Sequence, residues 1–217
     1  MSNNYYDATG VLVLDKVTPV ITALFGGFNL DPDLGDGTAY IAKISEDNDP
    51  QWDDIRESLV ELAKELGLTP SKGIDDGADG WLHALTTHFG DVDEEVLCNI
   101  VEPDESVALV DIYGIASRLD DGHGLKAIKM EGCWHCDKPR LFEFGGHGEF
   151  IGRNCYVSSG SSRAIQLGDK LDAALASGNL EDGATQLMAS VSSILDGVYD
   201  EEKRKTVRQH LAALLAA

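Results

Sequence analysis

The chain has 217 residues, and 38 acidic against 17 basic residues give it a formal net charge of −21. A surface this negative repels phosphate, which excludes a conventional nucleic-acid-binding protein and disfavours binding to anionic membranes. The hydrophobic fraction of 43% is ordinary for a globular protein and excludes bulk disorder.

Most of the negative charge belongs to the first half of the chain. Residues 1–105 contain 23 acidic and 5 basic residues, whereas residues 106–217 contain 15 acidic and 12 basic residues. Such asymmetry indicates a partner for the charged half. We expect this partner to be a basic protein rather than nucleic acid or a membrane.

The sequence carries no signal for export or membrane insertion. Its first residues lack a positively charged segment followed by an apolar core, and no stretch approaches the roughly 18–20 apolar residues of a transmembrane helix. Four cysteines are too few for a disulfide scaffold in a chain of this length. We therefore expect a cytoplasmic protein with reduced thiols.

The first half begins with short strands and helices. Residues 10–15 predict a buried strand, and Thr18 followed by Pro19 is a typical start of a helix. The turn-forming residues of 31–37 predict a loop. The alternation of apolar and polar residues in 38–45 predicts another strand.

The clearest helix lies between Pro50 and Gly67, because apolar residues recur along one of its faces. Five acids on its other faces are the candidate partner-binding residues: Asp53, Asp54, Glu57, Glu61 and Glu65. The last three are four residues apart and align along the helix, so they imitate a row of phosphates. Grooves of Lys and Arg that accept phosphate also accept such an array. Two shorter helices are predicted at 81–89 and 93–101.

Residues 106–158 predict an antiparallel four-stranded meander. The strand-like runs cover about 107–117, 125–130, 141–144 and 150–157, and their short Gly-rich connections favour antiparallel pairing. Three helices are predicted in 163–217. The sequence thus indicates a single α+β domain over residues 1–217, in which the meander packs with N-terminal β/α elements and a C-terminal helical bundle.

The second connection of this meander is rich in metal-ligating side chains. Cys133, His135 and Cys136 provide two thiolates and an imidazole, and the chain returns toward them at Cys155. These four residues are candidate ligands of a tetrahedral zinc site. The alternative is a turn with two partly buried thiols and an exposed imidazole. A redox C-x-x-C motif is disfavoured, because Pro139 and a strand-like run follow it instead of a helix.

The first and third connections place His123 and His147 at one end of the predicted sheet, flanked by Asp121 and Glu149. Two imidazoles beside carboxylates suit general acid–base catalysis or a catalytic metal. These four residues are therefore the candidate catalytic residues. The alternative is that they are ordinary polar residues of hairpin tips.

Three runs of the same region form a recognisable pattern: Asp120–Leu125, Trp134–Cys136 and Lys138–Gly146. Together they resemble a signature of uncharacterised proteins carried on bacterial plasmids and integrative elements. The resemblance covers about residues 106–155 and implies no activity, fold or catalytic position. It implies an accessory protein of a mobile genetic element rather than a metabolic enzyme.

Two functions of different classes follow. The first is an acidic interaction protein of a mobile element, an inhibitor or regulator that binds a basic, nucleic-acid-binding partner as a DNA mimic. The alternative is a metal-dependent or acid–base enzyme with its site at His123 and His147. The sequence favours the first and leaves the question of enzymatic activity open. A small structural zinc protein without catalysis is a third hypothesis and is compatible with the first.

Overall fold

A computed structural model of the chain describes residues 4–71, 77–90, 107–138, 141 and 143–216. In these residues the strands are β1 (Asn4–Val13), β2 (Asp31–Gly35), β3 (Thr38–Lys43), β4 (Ala127–Cys136), β5 (Gly145–Gly152) and β6 (Tyr156–Gly160). The α-helices are α1 (Pro19–Phe25), α2 (Trp52–Glu65), α3 (Ala78–Phe89), α4 (Leu109–Ala116), α5 (Ser162–Ala176), α6 (Leu180–Leu195) and α7 (Glu201–Leu215). The predicted α+β class is confirmed.

The strands follow the order β2-β3-β1-β4-β5-β6 in the sheet. Strand β3 pairs antiparallel with both β1 and β2, and β5 pairs antiparallel with β6. Because β4, β5 and β6 are neighbours in chain order, they form a meander. None of the helices in the described part of the chain combines the length and apolarity needed to span a membrane.

The chain divides into two compact units. The first, Tyr5–Met130, contains β1–β3 and α1–α4. The second comprises Met1–Asn4 and Glu131–Ala217, and it contains the end of β4, β5, β6 and the three C-terminal helices. The prediction of one domain over residues 1–217 therefore stays a prediction, and the division falls inside a strand rather than at a linker.

Helices α1 and α2 begin where the local sequence provides acceptors for their N-terminal N–H groups. The Thr18 side chain accepts a hydrogen bond from the N–H of Ile21, and Pro19 is the first helical residue of α1. Helix α2 begins at Trp52, because Gln51 and Asp54 form a capping box in front of it. The apolar faces of both helices are buried, as their periodicity predicts.

The meander has three strands instead of the predicted four. Residues 107–117, predicted as its first strand, contain helix α4 (Leu109–Ala116). Leu109, Ile112, Tyr113 and Ala116 are all buried, which is the spacing of one helical face and not the alternation of a strand. The first-half loop predicted at 31–37 contains the edge strand β2. The helix predicted at 93–101 lies outside the described residues.

The boundaries of the other two predicted connections are also corrected. Strand β4 extends to Cys136 and so contains Cys133–Cys136, the first four residues of the predicted second connection. Strand β5 begins at Gly145 and contains those predicted as the third. Both errors come from treating glycine and polar residues as turn formers, although strand pairing accommodates them here. The three C-terminal helices are confirmed, and Asp200 caps α7 by accepting a hydrogen bond from the N–H of Lys203 at 2.9 Å.

Candidate functional site

His123 lies between α4 and β4, and only 2% of its surface is exposed. The N–H of Leu125 can only donate, and it lies 2.8 Å from Nδ1, so Nδ1 is an acceptor. The ring proton is therefore on Nε2, which donates to the carbonyl oxygen of Ala116 at 2.9 Å. Because both nitrogens are occupied and the ring is neutral, His123 connects the end of α4 to the start of β4.

Asp121 stabilises the start of α1. Its Oδ2 accepts a hydrogen bond from the N–H of Val20 at 3.1 Å, where the free N–H groups and the positive end of the helix dipole favour a carboxylate. The carbonyl oxygen of His123 accepts from the N–H of Asp15 at 2.8 Å and from that of Lys16 at 3.4 Å. This connection is thus packed against the end of β1 and is not an exposed hairpin tip.

Asp120, Asp121 and His123 are the one group in the described part of the chain whose ligand atoms are close enough for a metal, within 4.8 Å of one another. The imidazole has no free lone pair, for the reason just given. The carboxylates of Asp120 and Asp121 each accept a backbone N–H, from Gly122 and Val20. Within this group of three residues, the remaining buried acceptor is Oδ1 of Asp121, which has no hydrogen-bond partner. Zinc and calcium need four or more ligands, so the geometry fits a hydrogen-bonded connection better than a metal centre.

His147 lies on β5, in the other compact unit from His123. Its ring stacks on Trp134, with 6.2 Å between the ring centroids and 27° between the planes. Trp134 is close to the C-terminal end of β4, whereas His123 precedes the first residue of that strand. The residues around His147 form a strand instead of the predicted connection, so the basis for predicting that the two histidines share one end of the sheet is absent.

Glu149 interacts with Tyr156 across the β5–β6 pair. The hydrogen bond with Ser158 lowers the pKa of the Tyr156 phenol, but burial and the charge and hydrogen bond of Glu149 together outweigh it. The pKa of Tyr156 is therefore raised above its ordinary value of 10.0. This arrangement keeps the phenol neutral rather than activating it as a base.

The four candidate zinc ligands are not assembled. Cys133, His135 and Cys136 all lie in β4, where successive side chains point to opposite faces. Accordingly, Cys133 is exposed and Cys136 is buried. Cys155 precedes β6, and its backbone pairs with that of Val198. In the described part of the chain, these thiols and the imidazole form no group close enough to share a metal, because the turn on which the zinc prediction depends is a strand.

The Gly-rich start of β5 makes room for Trp134. A Cβ atom on Gly145 would stand 2.3 Å from Cζ2 of the indole, so a larger residue would displace the ring. Neither this contact nor the hydrogen bond between Asp121 and Val20 was predicted from the sequence. Each of these two contacts joins residues that are not local neighbours in the sequence. The turn-like composition of the segments around Asp121 and Gly145 was the one sequence signal that pointed to them.

All five candidate partner-binding acids are exposed on α2, and we call them the acidic row: Asp53, Asp54, Glu57, Glu61 and Glu65. At about 100° per residue, they fall within an arc of about 120°, and the buried residues of α2 lie outside it. From Asp53 to Glu65 the helix rises about 18 Å, a mean spacing of about 4.5 Å per carboxylate. Phosphates recur every ~3.4 Å along the axis of one DNA strand, so the two linear charge densities are similar.

The acidic row is not neutralised by basic residues in the part of the chain that the structure describes. The two basic residues of α2 are occupied on its α3 side: Arg56 pairs with Asp79, and the ammonium of Lys64 lies 5.8 Å from the centre of the Trp81 ring. Asp54 accepts a hydrogen bond from the N–H of Gln51 at 3.0 Å and so also caps the helix. The other four carboxylates form none of the observed ion pairs.

A groove of about 510 Å³ borders the acidic row between α1 and α2, and Glu61 and Glu65 are part of its wall. This groove and the acidic row belong to the same compact unit. No protein-family model matches the chain, and neither a curated protein nor a solved structure does so. The site is therefore interpreted from its own geometry, as an acidic helix face on an α+β protein.

Proposed function

We propose that the protein is an acidic interaction protein that binds the basic, nucleic-acid-binding surface of a partner protein and thereby inhibits or regulates it. The observation that supports this proposal is the acidic row: five exposed carboxylates on one side of a helix whose opposite side is buried. On the resemblance of residues 106–155 to proteins of plasmids and integrative elements, we propose that it is an accessory protein of a mobile genetic element. We also propose a cytoplasmic location for it.

The physical basis is charge mimicry. A groove of Lys and Arg that binds DNA gains affinity from neutralising phosphates in a row, and carboxylates at similar spacing provide the same attraction. Because α2 is held by its buried apolar face, the carboxylates are presented without the cost of ordering a flexible segment. Binding of this kind weakens with added salt, since the charges are exposed.

The alternative, an enzyme with its site at His123 and His147, has less support. The first imidazole is buried with both nitrogens hydrogen-bonded, and the second stacks on Trp134. Two histidines that act together in acid–base catalysis need a shared substrate position. We therefore do not propose a catalytic role for the pair.

The proposal is tested with the partner recovered from a host lysate on the immobilised protein at low salt. We expect a basic DNA-binding protein that is released by high salt and by competing duplex DNA. With the purified partner, the triple variant Glu57→Gln, Glu61→Gln, Glu65→Gln should bind about 10- to 100-fold more weakly, at about 0.5–1 kcal/mol for each exposed charge contact.

The matched control removes the same formal charge from the other unit, by Glu181→Gln, Glu201→Gln and Glu202→Gln. These three glutamates are exposed on α6 and α7, and their replacement should leave the affinity unchanged. The proposal is wrong if both triple variants weaken binding equally. It is also wrong if the partner is not basic or if duplex DNA does not compete.

A further inference from the structure

The groove between α1 and α2 has a polar wall that offers hydrogen-bond acceptors. The Thr22 hydroxyl donates to the carbonyl oxygen of Thr18 at 3.1 Å, and the Ser58 hydroxyl donates to that of Asp54 at 2.9 Å. Since a hydroxyl has a single proton, both oxygens can only accept a hydrogen bond from an occupant of the groove.

Two carboxylates add to these acceptors. Glu61 and Glu65 line the groove beside Ser58, and no basic side chain is among the described residues that form its wall. The wall therefore combines negative charge with acceptors from two different helices. A fitting occupant is cationic, donates several hydrogen bonds and accepts none.

The rest of the wall is apolar and comes from Val17, Pro19 and Leu62, with the small Ala23 next to them. Such a surface suits the methylene chain of a long basic side chain, whose charged head remains among polar groups. A guanidinium has five donors in a planar fork, whereas an ammonium is a compact charge with three donors. Acceptors distributed over two helices match the wider fork.

We infer that this groove binds an arginine side chain of the partner protein. The guanidinium lies between Glu61 and Glu65, and the methylene chain lies against the apolar wall. The inference rests on the proposed function, since it names the partner group that the acidic helix receives. It adds a specific contact to the electrostatic attraction of the acidic row.

To test this inference, N-acetyl-arginine amide is added as the probe to the full chain at low ionic strength. The chemical shifts of the backbone amides are then measured by NMR. We expect saturable shifts at Thr22, Ser58 and Glu65, and smaller ones with the lysine analogue. The citrulline analogue has the shape of arginine without its charge and should produce no saturable shift. The inference is overturned if arginine produces no saturable shift at these residues, or if citrulline or lysine binds as well.

Two variants separate the groove from the acidic row. Ala23→Leu fills the groove without changing the charge, and the double variant Glu61→Gln, Glu65→Gln keeps the shape but removes the charge. Both should lose saturable arginine binding, whereas Glu57→Gln, outside the groove wall, should retain it. Circular dichroism reports whether Ala23→Leu disturbs the fold. If it does, the double variant alone is used to test whether the groove binds arginine. Failure of arginine binding with a partner affinity that still depends on the acidic row would overturn this inference and leave the proposed function standing.

Discussion

The two compact units differ in how much apolar surface they bury. In the part of the chain that the structure describes, all the buried hydrophobic residues lie in Tyr5–Met130 except four: Cys136, Ile151, Ala174 and Leu195. Helix α7 has no buried residue, whereas α2 buries a continuous apolar face. The acidic row therefore belongs to the unit that buries most of the apolar residues, and a buried face holds its helix in place.

The largest expected difference between the units is in hydrogen exchange. Amides of α2 should exchange only on global unfolding, which costs about 5–15 kcal/mol in a typical domain. Amides of α7 should open at a cost of about 1 kcal/mol or less, because a helix of this length without packing is marginal in water. Mass spectrometry on peptides covering 52–65 and 201–215 measures both. If the amides of α2 and α7 were equally protected from exchange, α7 would be covered in solution. The expected difference in stability between the two units would then be contradicted.

The next largest expected effect is on the free energy of unfolding when either of two histidines, one in each unit, is replaced. His123→Ala should lower the free energy of unfolding by about 2–5 kcal/mol, because the carbonyl of Ala116 and the N–H of Leu125 would be buried without partners. His147→Ala should cost about 1 kcal/mol or less, since it loses a partly exposed stack on Trp134. Urea unfolding compares them. Equal costs would contradict the assignment of two buried hydrogen bonds to the His123 ring.

A smaller effect tests the packing of the second unit. Gly145→Ala should destabilise the protein by about 1–3 kcal/mol, because the new Cβ would overlap the indole of Trp134. Gly148→Ala is the control: its Cβ would meet nothing within 4 Å, so the expected change is within about 0.5 kcal/mol. Near-ultraviolet circular dichroism and unfolding report both changes. If the two alanine variants behave alike, Trp134 does not lie over β5.

The smallest expected effect is a change in the pKa of Tyr156. The folded-state pKa of Tyr156 is raised above 10.0, so its contribution to stability is present below pH 10.0 and is lost as the pH rises through the raised pKa. Glu149→Gln should lower the pKa of Tyr156 toward its ordinary value. The pKa of Tyr156 is measured from the absorbance of phenolate as a function of pH. The signal of Tyr156 is the difference between each protein and the same protein with Tyr156→Phe. Glu131→Gln on β4 is the control, and a shift of the same size in that variant would contradict the assignment to Glu149.

Local patterns in the sequence predicted much of the fold. The start of α1 at Thr18 and Pro19, the apolar face of α2 and the three C-terminal helices all follow from caps and helical periodicity, which depend on neighbours a few residues apart. The exposure of the acidic row follows from the same periodicity. By contrast, residues 107–117 were wrongly predicted as a strand because a short apolar run fits a buried helix as well.

The candidate sites predicted in residues 120–155 depended on which residues form the connections between strands. The sequence alone did not determine where those connections lie. Glycine and histidine are common at hairpin tips, but here they form strand β5 and a packed connection. The tautomer of His123 and the groove between α1 and α2 depend on groups that are distant in the chain. No local propensity encodes such contacts.

By itself, then, the sequence determined that the protein is acidic, that its charge is concentrated in one half and that a helix displays five of the carboxylates. These properties follow from composition and from a period of 3.6 residues. Only the tertiary structure decided that His147 lies in a strand, that Cys133 and Cys136 point to opposite faces of β4 and that an acceptor-lined groove adjoins the acidic row. The physical reason is that strand pairing and helix packing set which distant side chains meet.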